Sequence, residues 1–285
     1  MLKPTPQADW PSSWRRAYDY DLIEVFGEAT TARGHARAYQ ERVEKTLDLV
    51  GGLVPPNSRI IDIAAAQGNF SLRLAELGYQ VTWNDLRDDL AGYVQLKYET
   101  GVMRYRPGNV FALPIDECYD AVLITEIIEH VAHPDEFLAQ VARLLRPGGV
   151  VIMTTPSGEY FANRLPKFSQ CADPSAFEVS QFQPDGDGHI FLLHRDEIEP
   201  LARRAGLEII SIDLFTLFLS AGRLHTQVLL KTTPELVAWL ERSCASLPDT
   251  LSSRFFVQMA VCFKKALPAE GQPDTTPADG VTANV

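Results

Sequence analysis

From residue 58 to residue 155 the chain repeats one unit: a short apolar, β-branched run, a turn of small or polar residues, then an amphipathic stretch. The runs fall at 60–64, 80–84, 103–105, 120–125 and 149–155, with helical patterning near 69–77, 87–97 and 134–145 between them. Apolar runs of this length read as strands buried on both faces, and helices are what cover such faces. Strands alternating with helices imply βαβ units, right-handed crossovers and a parallel sheet. After residue 188 the pattern resumes with a helix at 195–205, a strand at 207–215, a helix near 234–243 and a strand at 255–263. The expected fold class is therefore α/β, with a mostly parallel seven-stranded sheet and helices on both faces.

Three segments stand outside the alternation. Residues 1–54 read as an N-terminal helical lead-in, since Ala38, Val43, Leu47 and Val50 recur along one side before Pro55-Pro56 breaks the helix. Residues 157–188 are proline-rich and weakly periodic, the pattern of a lid inserted at the sheet's carboxyl edge in a main domain of 55–265. The end, 266–285, is poor in apolar residues and reads as a disordered tail.

The net charge of −11 includes three acids of that tail and leaves −8 for the body, which disfavours nucleic acid as a partner. The 46% hydrophobic content suits a soluble globular core. No apolar run is long enough for a membrane span, and the start MLKPTPQADW has no signal-peptide core, so a cytoplasmic location is expected. The four cysteines carry no CxxC pair, in keeping with a reducing compartment.

In open parallel sheets ligands sit beyond the carboxyl ends of the strands. The first strand ends in DIAAAQG, a turn small enough for backbone amides to approach a ligand at a helix N-terminus. The second ends VTWND, with Asp85 about twenty residues on, where an acid can accept from both hydroxyls of a ribose. Asp85 as a cap of the next helix is the competing reading.

Five ordered motifs, DIAAAQG, VTWND, GNVFALP, YDAVLITEIIEHV and LLRPGGVVIMTTP, resemble the class I S-adenosylmethionine-dependent methyltransferases, particularly the ubiquinone-pathway O-methyltransferases, over roughly residues 58–210. The resemblance implies a Rossmann-like fold and S-adenosylmethionine as cofactor. It sets the backbone of Ala64, Ala65, Ala66 and Gly68 along the methionine portion, with Asp62 orienting the turn or meeting the amino group. Asp85 would hold the ribose, Leu86 pack on the adenine, Asn109 and Val110 meet the base, and Thr125 and Glu126 lie near the sulfonium. Ala64 and Ala66 replace two family glycines; alanine resists positive φ, so the turn is expected to use ordinary dihedrals or hold the cofactor farther away.

EIIEH, residues 126–130, spaces Glu126, Glu129 and His130 so that a helical turn would gather them on one face. The run resembles the metal-ligand stretch of ubiquinone-pathway and small-RNA 3′-terminal 2′-O-methyltransferases, with His189 as the later histidine. Glu126, Glu129, His130 and His189 are thus candidate ligands for Mg2+ or Mn2+, and His130 or His189 alternatively a metal-free general base. His35, His133, His194 and His225 are weaker candidates. The implied activity is methylation of a small-molecule hydroxyl; an RNA 3′-terminal 2′-O-methyltransferase and a non-catalytic scaffold are the rivals.

Overall fold

The computed structural model describes residues 1–28, 33–112, 118–181, 188–219, 221 and 234–267. His225, part of the insertion and the tail from 268 onward lie outside these residues. The elements are α1 (Ser12–Glu24), α2 (Arg33–Leu53), β1 (Arg59–Ile63), α3 (Asn69–Glu76), β2 (Gln80–Asn84), α4 (Leu90–Lys97), β3 (Val102–Tyr105), β4 (Tyr119–Thr125), α5 (Pro134–Leu144), β5 (Leu145–Pro156), α6 (Arg195–Arg204), β6 (Leu207–Leu217), α7 (Pro234–Ala245), α8 (Asp249–Ser252) and β7 (Phe256–Lys265). No helix among the described residues is long and apolar enough to cross a membrane.

The seven strands form one sheet in the order β3-β2-β1-β4-β5-β7-β6. The first five run parallel, and β7 enters antiparallel between β5 and β6. Chain order reverses direction between β1 and β4, so a crevice opens beyond the carboxyl ends of these two strands. Ile61, Val122 and Met153 face α5 and α6 in one core, while Ile60, Leu123 and Ile152 face α2 and α3 in another. β1 and β4 are thus covered on both sides, as their unbroken apolar runs require.

Two local readings change. The strand expected at 149–155 begins earlier: α5 ends at Leu144, and β5 takes in the RPGG run from Leu145 with a register shift opposite Tyr119 and Ala121. Helix α2 buries Val43 and Val50 as expected, together with Tyr39 and Thr46, while Ala38 and Leu47 are half-buried, so the stripe is turned toward Tyr39. The rotation seats the Tyr39 ring against Phe70, with centroids 6.2 Å apart.

The lead-in docks through a buried polar knot. Asp21 of α1 accepts from Asn69 Nδ2 at 2.8 Å, Tyr93 OH at 2.7 Å and Lys97 Nζ at 2.6 Å, and Lys97 also donates to Asn69 Oδ1 at 2.5 Å. Asp21 and Lys97 are fully buried, and burial pulls the Lys97 pKa down against the opposing charge of Asp21. Trp10, Trp14 and Tyr18 pack beside it around Tyr93 as docking contacts.

The insertion carries short 3-10 turns at Phe168–Gln170 and Pro174–Ser180. It packs Phe168 and Phe177 on Phe191 and is tied to the body by His133–Glu178 at 2.8 Å and Ala132 N–H to Gln181 Oε1 at 2.9 Å.

Removing one member of a buried ion pair leaves the other charge uncompensated, at about 3–5 kcal/mol. Lys97→Met is expected to destabilise the protein on that scale, and Asp21→Leu with Lys97→Met by less than the sum of the single changes. Urea denaturation of the three variants measures this.

Candidate active site

A cavity of ≈ 760 Å³ fills the crevice, lined by the 63–67 turn, Asn69, residues 84–87 after β2, residues 108–111, Thr125 to Ile127, and His130. Tyr20, Glu24, Tyr39 and Arg42 of the lead-in close one side, and His133, Glu136, Phe137, Gln140 and Gln181 another. Its size is that of a small-molecule site.

The turn after β1 is held from every side. Ala65 N–H donates to the Asn84 carbonyl, Ala66 N–H to Asp85 Oδ2 at 2.9 Å, and Trp83 Nε1–H to the Ala66 carbonyl at 3.1 Å. Asn84 Nδ2 donates to the carbonyls of Arg106 at 2.6 Å and Gly108 at 2.9 Å, locking the 106–108 loop to the same corner. The expectation of ordinary dihedrals is overturned: Ala64 has φ 54° and Ala66 φ 45°, both left-handed. These bonds hold the glycine-like path, at a cost of about 1–2 kcal/mol for each alanine. Gly68, also left-handed at φ 71°, opens α3, where a Cβ would meet Val94 at 2.7 Å.

Asp62 is fully buried with Ser71 Oγ donating to its Oδ2 at 2.6 Å, while Oδ1 has no partner. It is absent from the cavity lining, which favours orienting the turn over touching a ligand. Burial, with Asp85 nearby, pushes its pKa up to about 7. Asp85 lines the cavity and is saturated by Ala66 N–H and by Arg87; it does not cap the next helix, whose N-cap is Asp89. Leu86 is exposed at the cavity wall. Asn109 Oδ1 accepts from Phe111 N–H at 3.1 Å, so one of its acceptor positions is used within the loop, and Val110 and Thr125 line the cavity.

EIIEH does not form one helical face. Only Ile128–His130 makes a 3-10 turn, and Glu126 sits before it at φ 52°. That dihedral turns the Glu126 carboxylate to Arg42 Nη1 at 2.7 Å. The ligand atoms of Glu129, His130 and His189 lie within 4.8 Å of one another without it, reducing the expected quartet to three. The two imidazoles pack edge to face at 4.8 Å between centroids. Glu129 is buried, with Thr155 Oγ1 donating to Oε2 at 3.1 Å and Oε1 unpartnered. Burial and the neighbouring Glu126 carboxylate raise its pKa well above the usual carboxylate range. His130 reaches the cavity, and its Nδ1 lies 3.3 Å from the Gly188 carbonyl.

Tyr39, Arg42 and Asn69 were missed as site residues. The signal available for Arg42 was its spacing, three residues after Tyr39 and four before Thr46, which sets it beside the buried stripe of α2. His35 lies on Glu24 at 2.8 Å, and His194 opens α6 with its N–H on Glu197.

The model of a methyltransferase domain matches residues 35–212. The chain belongs to the class I S-adenosylmethionine-dependent methyltransferases. The methyltransferase chain is 32% identical over 166 residues to a ubiquinone biosynthesis O-methyltransferase of Xanthomonas axonopodis pv. citri, spanning 55% of this chain and 65% of the relative. The match to that of Xanthomonas campestris pv. campestris strain B100 is 31% over 173 residues, 59% of this chain and 68% of the relative. Among solved structures it resembles Synechocystis magnesium protoporphyrin IX methyltransferase with bound S-adenosylhomocysteine, at TM-score 0.53 and 13% identity over 89% of this chain and 93% of that one. It also resembles the [4+2]-cyclase SpnF, at TM-score 0.52 and 17% identity over 90% and 97%. Both likenesses concern the fold, and the second shows that the fold also occurs in a protein described as a cyclase.

The Asp62 shift has a definite sign. Its folded pKa lies above the ordinary 3.8, so the folded state holds a proton that the unfolded state releases. Stability from this group is fully present below about pH 4 and is lost as pH rises to about 7. Urea denaturation across this range should therefore show wild-type stability falling relative to Asp62→Asn and running parallel to it above pH 7.

Proposed function

We propose that this protein transfers the methyl group of S-adenosylmethionine to a hydroxyl of a small molecule. The observation that carries the reading is the single cavity that joins the strained β1 turn, Asp85, the Asn109 loop and His130. In this reading the cofactor's methionine portion runs along Ala64 to Gln67, its ribose hydroxyls donate to Asp85, and its adenine lies between Leu86 and the 109–110 backbone. Arg42 Nε and Glu126 Oε1 are buried and unpartnered, although the two side chains pair through their other atoms. A cation and a carboxylate with open positions suit the zwitterionic amino-acid end of the cofactor.

Methyl transfer is an in-line displacement: the acceptor oxygen bonds to the methyl carbon as the carbon–sulfur bond breaks, leaving S-adenosylhomocysteine. The protein aligns the partners, excludes water and takes the hydroxyl proton. With Nδ1–H directed at the Gly188 carbonyl, His130 keeps Nε2 to receive that proton. The hydroxyl acceptor is also supported by the O-methyltransferase relatives.

A second reading rests on the unpartnered Glu129 Oε1 beside two imidazoles. Glu129, His130 and His189 fit a divalent ion, and two nitrogens with one oxygen suit Mn2+ better than Mg2+. When bound, such an ion would polarise the acceptor hydroxyl and lower its pKa. Vicinal hydroxyls at an RNA 3′ end would suit that chemistry, but the acidic balance weighs against RNA, and retention on RNA at physiological salt tests it.

Calorimetry with S-adenosylhomocysteine should give saturable binding that Asp85→Ala weakens by about tenfold or more, since two bonds to a charged group are lost. No heat at high micromolar ligand would sink the cofactor reading. In the metal reading, Mn2+ raises the melting temperature of wild type and Glu126→Gln but not of His130→Ala with His189→Ala. An unchanged wild-type melting temperature would leave His130 as a metal-free base.

A further inference from the structure

A carboxylate offers about four acceptor positions on its two oxygens. On Asp85 four donors from the protein already take them. Oδ1 accepts from the Arg87 N–H and from Arg87 Nε, both at 2.9 Å; Oδ2 accepts from the Ala66 N–H at 2.9 Å and Arg87 Nη2 at 3.0 Å. Two of these donors are main-chain groups that shape the turns after β1 and β2, and they cannot leave without undoing those turns. The other two belong to one side chain, 46% exposed, which lines the same cavity.

We propose that Arg87 competes with the cofactor for Asp85, its guanidinium standing where the ribose diol binds. The inference rests on Asp85 as the ribose acceptor. A guanidinium edge and a vicinal diol each present two donors side by side, so they address the same pair of oxygens. A ribose can seat only when the Arg87 side chain swings off. Water can take up the half-exposed guanidinium, so the swing needs no rearrangement of the sheet. The fraction of molecules with Arg87 in place is subtracted from those competent to bind, and apparent affinity falls accordingly. Salt screens a partly exposed ion pair, so the competition weakens as ionic strength rises.

The test is calorimetry on the full chain with S-adenosylhomocysteine, which carries no sulfonium charge, at low salt and at about 0.5 M salt. Arg87→Met keeps the apolar stem and removes the charge. It is expected to bind about threefold to tenfold tighter than wild type at low salt, the range an exposed but bidentate pair supports, with the advantage shrinking at high salt. Equal or weaker binding by Arg87→Met, with Asp85→Ala still strongly impaired, would overturn the competition and leave the ribose assignment standing. Asp85→Ala binding as tightly as wild type would remove the ribose assignment and the proposal with it.

Discussion

Two alanines held in the left-handed region at the end of β1 are the constraint on which the site depends. An isolated Ala-Ala-Ala-Gln-Gly turn would not choose that path, because each methyl crowds the following carbonyl. The path persists because Trp83, Asn84 and Asp85, consecutive at the end of β2, each supply a bond to it. Asn84 then extends the same grip to the loop after β3. Three strand ends are thereby welded into one corner, and the strain of the turn is carried by the parallel pairing of β1 with β2. Among the described residues, three of the five non-glycine positive-φ positions, Ala64, Ala66 and Glu126, line the cavity. That clustering is what a preorganised site looks like in backbone terms.

The helical lead-in completes the crevice through two charge pairs of different character, one fully buried and one partly buried. Asp21–Lys97 is closed, with its charges shared between Asn69 and Tyr93 and no access to solvent. It fixes α1 so that Tyr20 and Glu24, on either side of Asp21, face the cavity. Arg42–Glu126 joins α2 to the end of β4 by one bond at 2.7 Å and leaves a donor and an acceptor unused. A fully satisfied buried pair specifies position; a half-satisfied one bordering a cavity carries a desolvation cost that a polar ligand can relieve.

The sheet was legible in the sequence because its central strands, β1, β4 and β5, are largely apolar runs, and such runs have one use in a chain of this size. The corner proposed to hold the cofactor was legible as residues, Ala64 to Gly68 and Asp85, because small turns and an acid at that spacing follow from strand geometry. Its dihedrals were not, since alanine's own preference points the other way and the deciding bonds come from β2. Asp21 and Lys97 were invisible for a related reason: each looks like a solvated helix residue until the packing of α1 on α4 brings them together. Arg42 was hidden likewise, because its partner lies 84 residues away on another element.

The EIIEH run shows how one dihedral redistributes chemistry. With helical φ at residue 126, both carboxylates and His130 would share a face, and with His189 they would make a set of two carboxylates and two imidazoles. The left-handed turn at Glu126 divides that set. One carboxylate faces Arg42 at the cavity wall, and the other stays beneath with Thr155 and the two imidazoles. The first acquires a charged partner; the second, with none comparable, is pushed toward its protonated form by burial and by the first. Two acids three residues apart thus differ in the direction from which charge reaches them, and with Glu126 turned away the expected two oxygens and two nitrogens become one oxygen and two nitrogens. In the metal reading, the choice of cation would therefore be set by backbone geometry at a strand end rather than by the motif's composition.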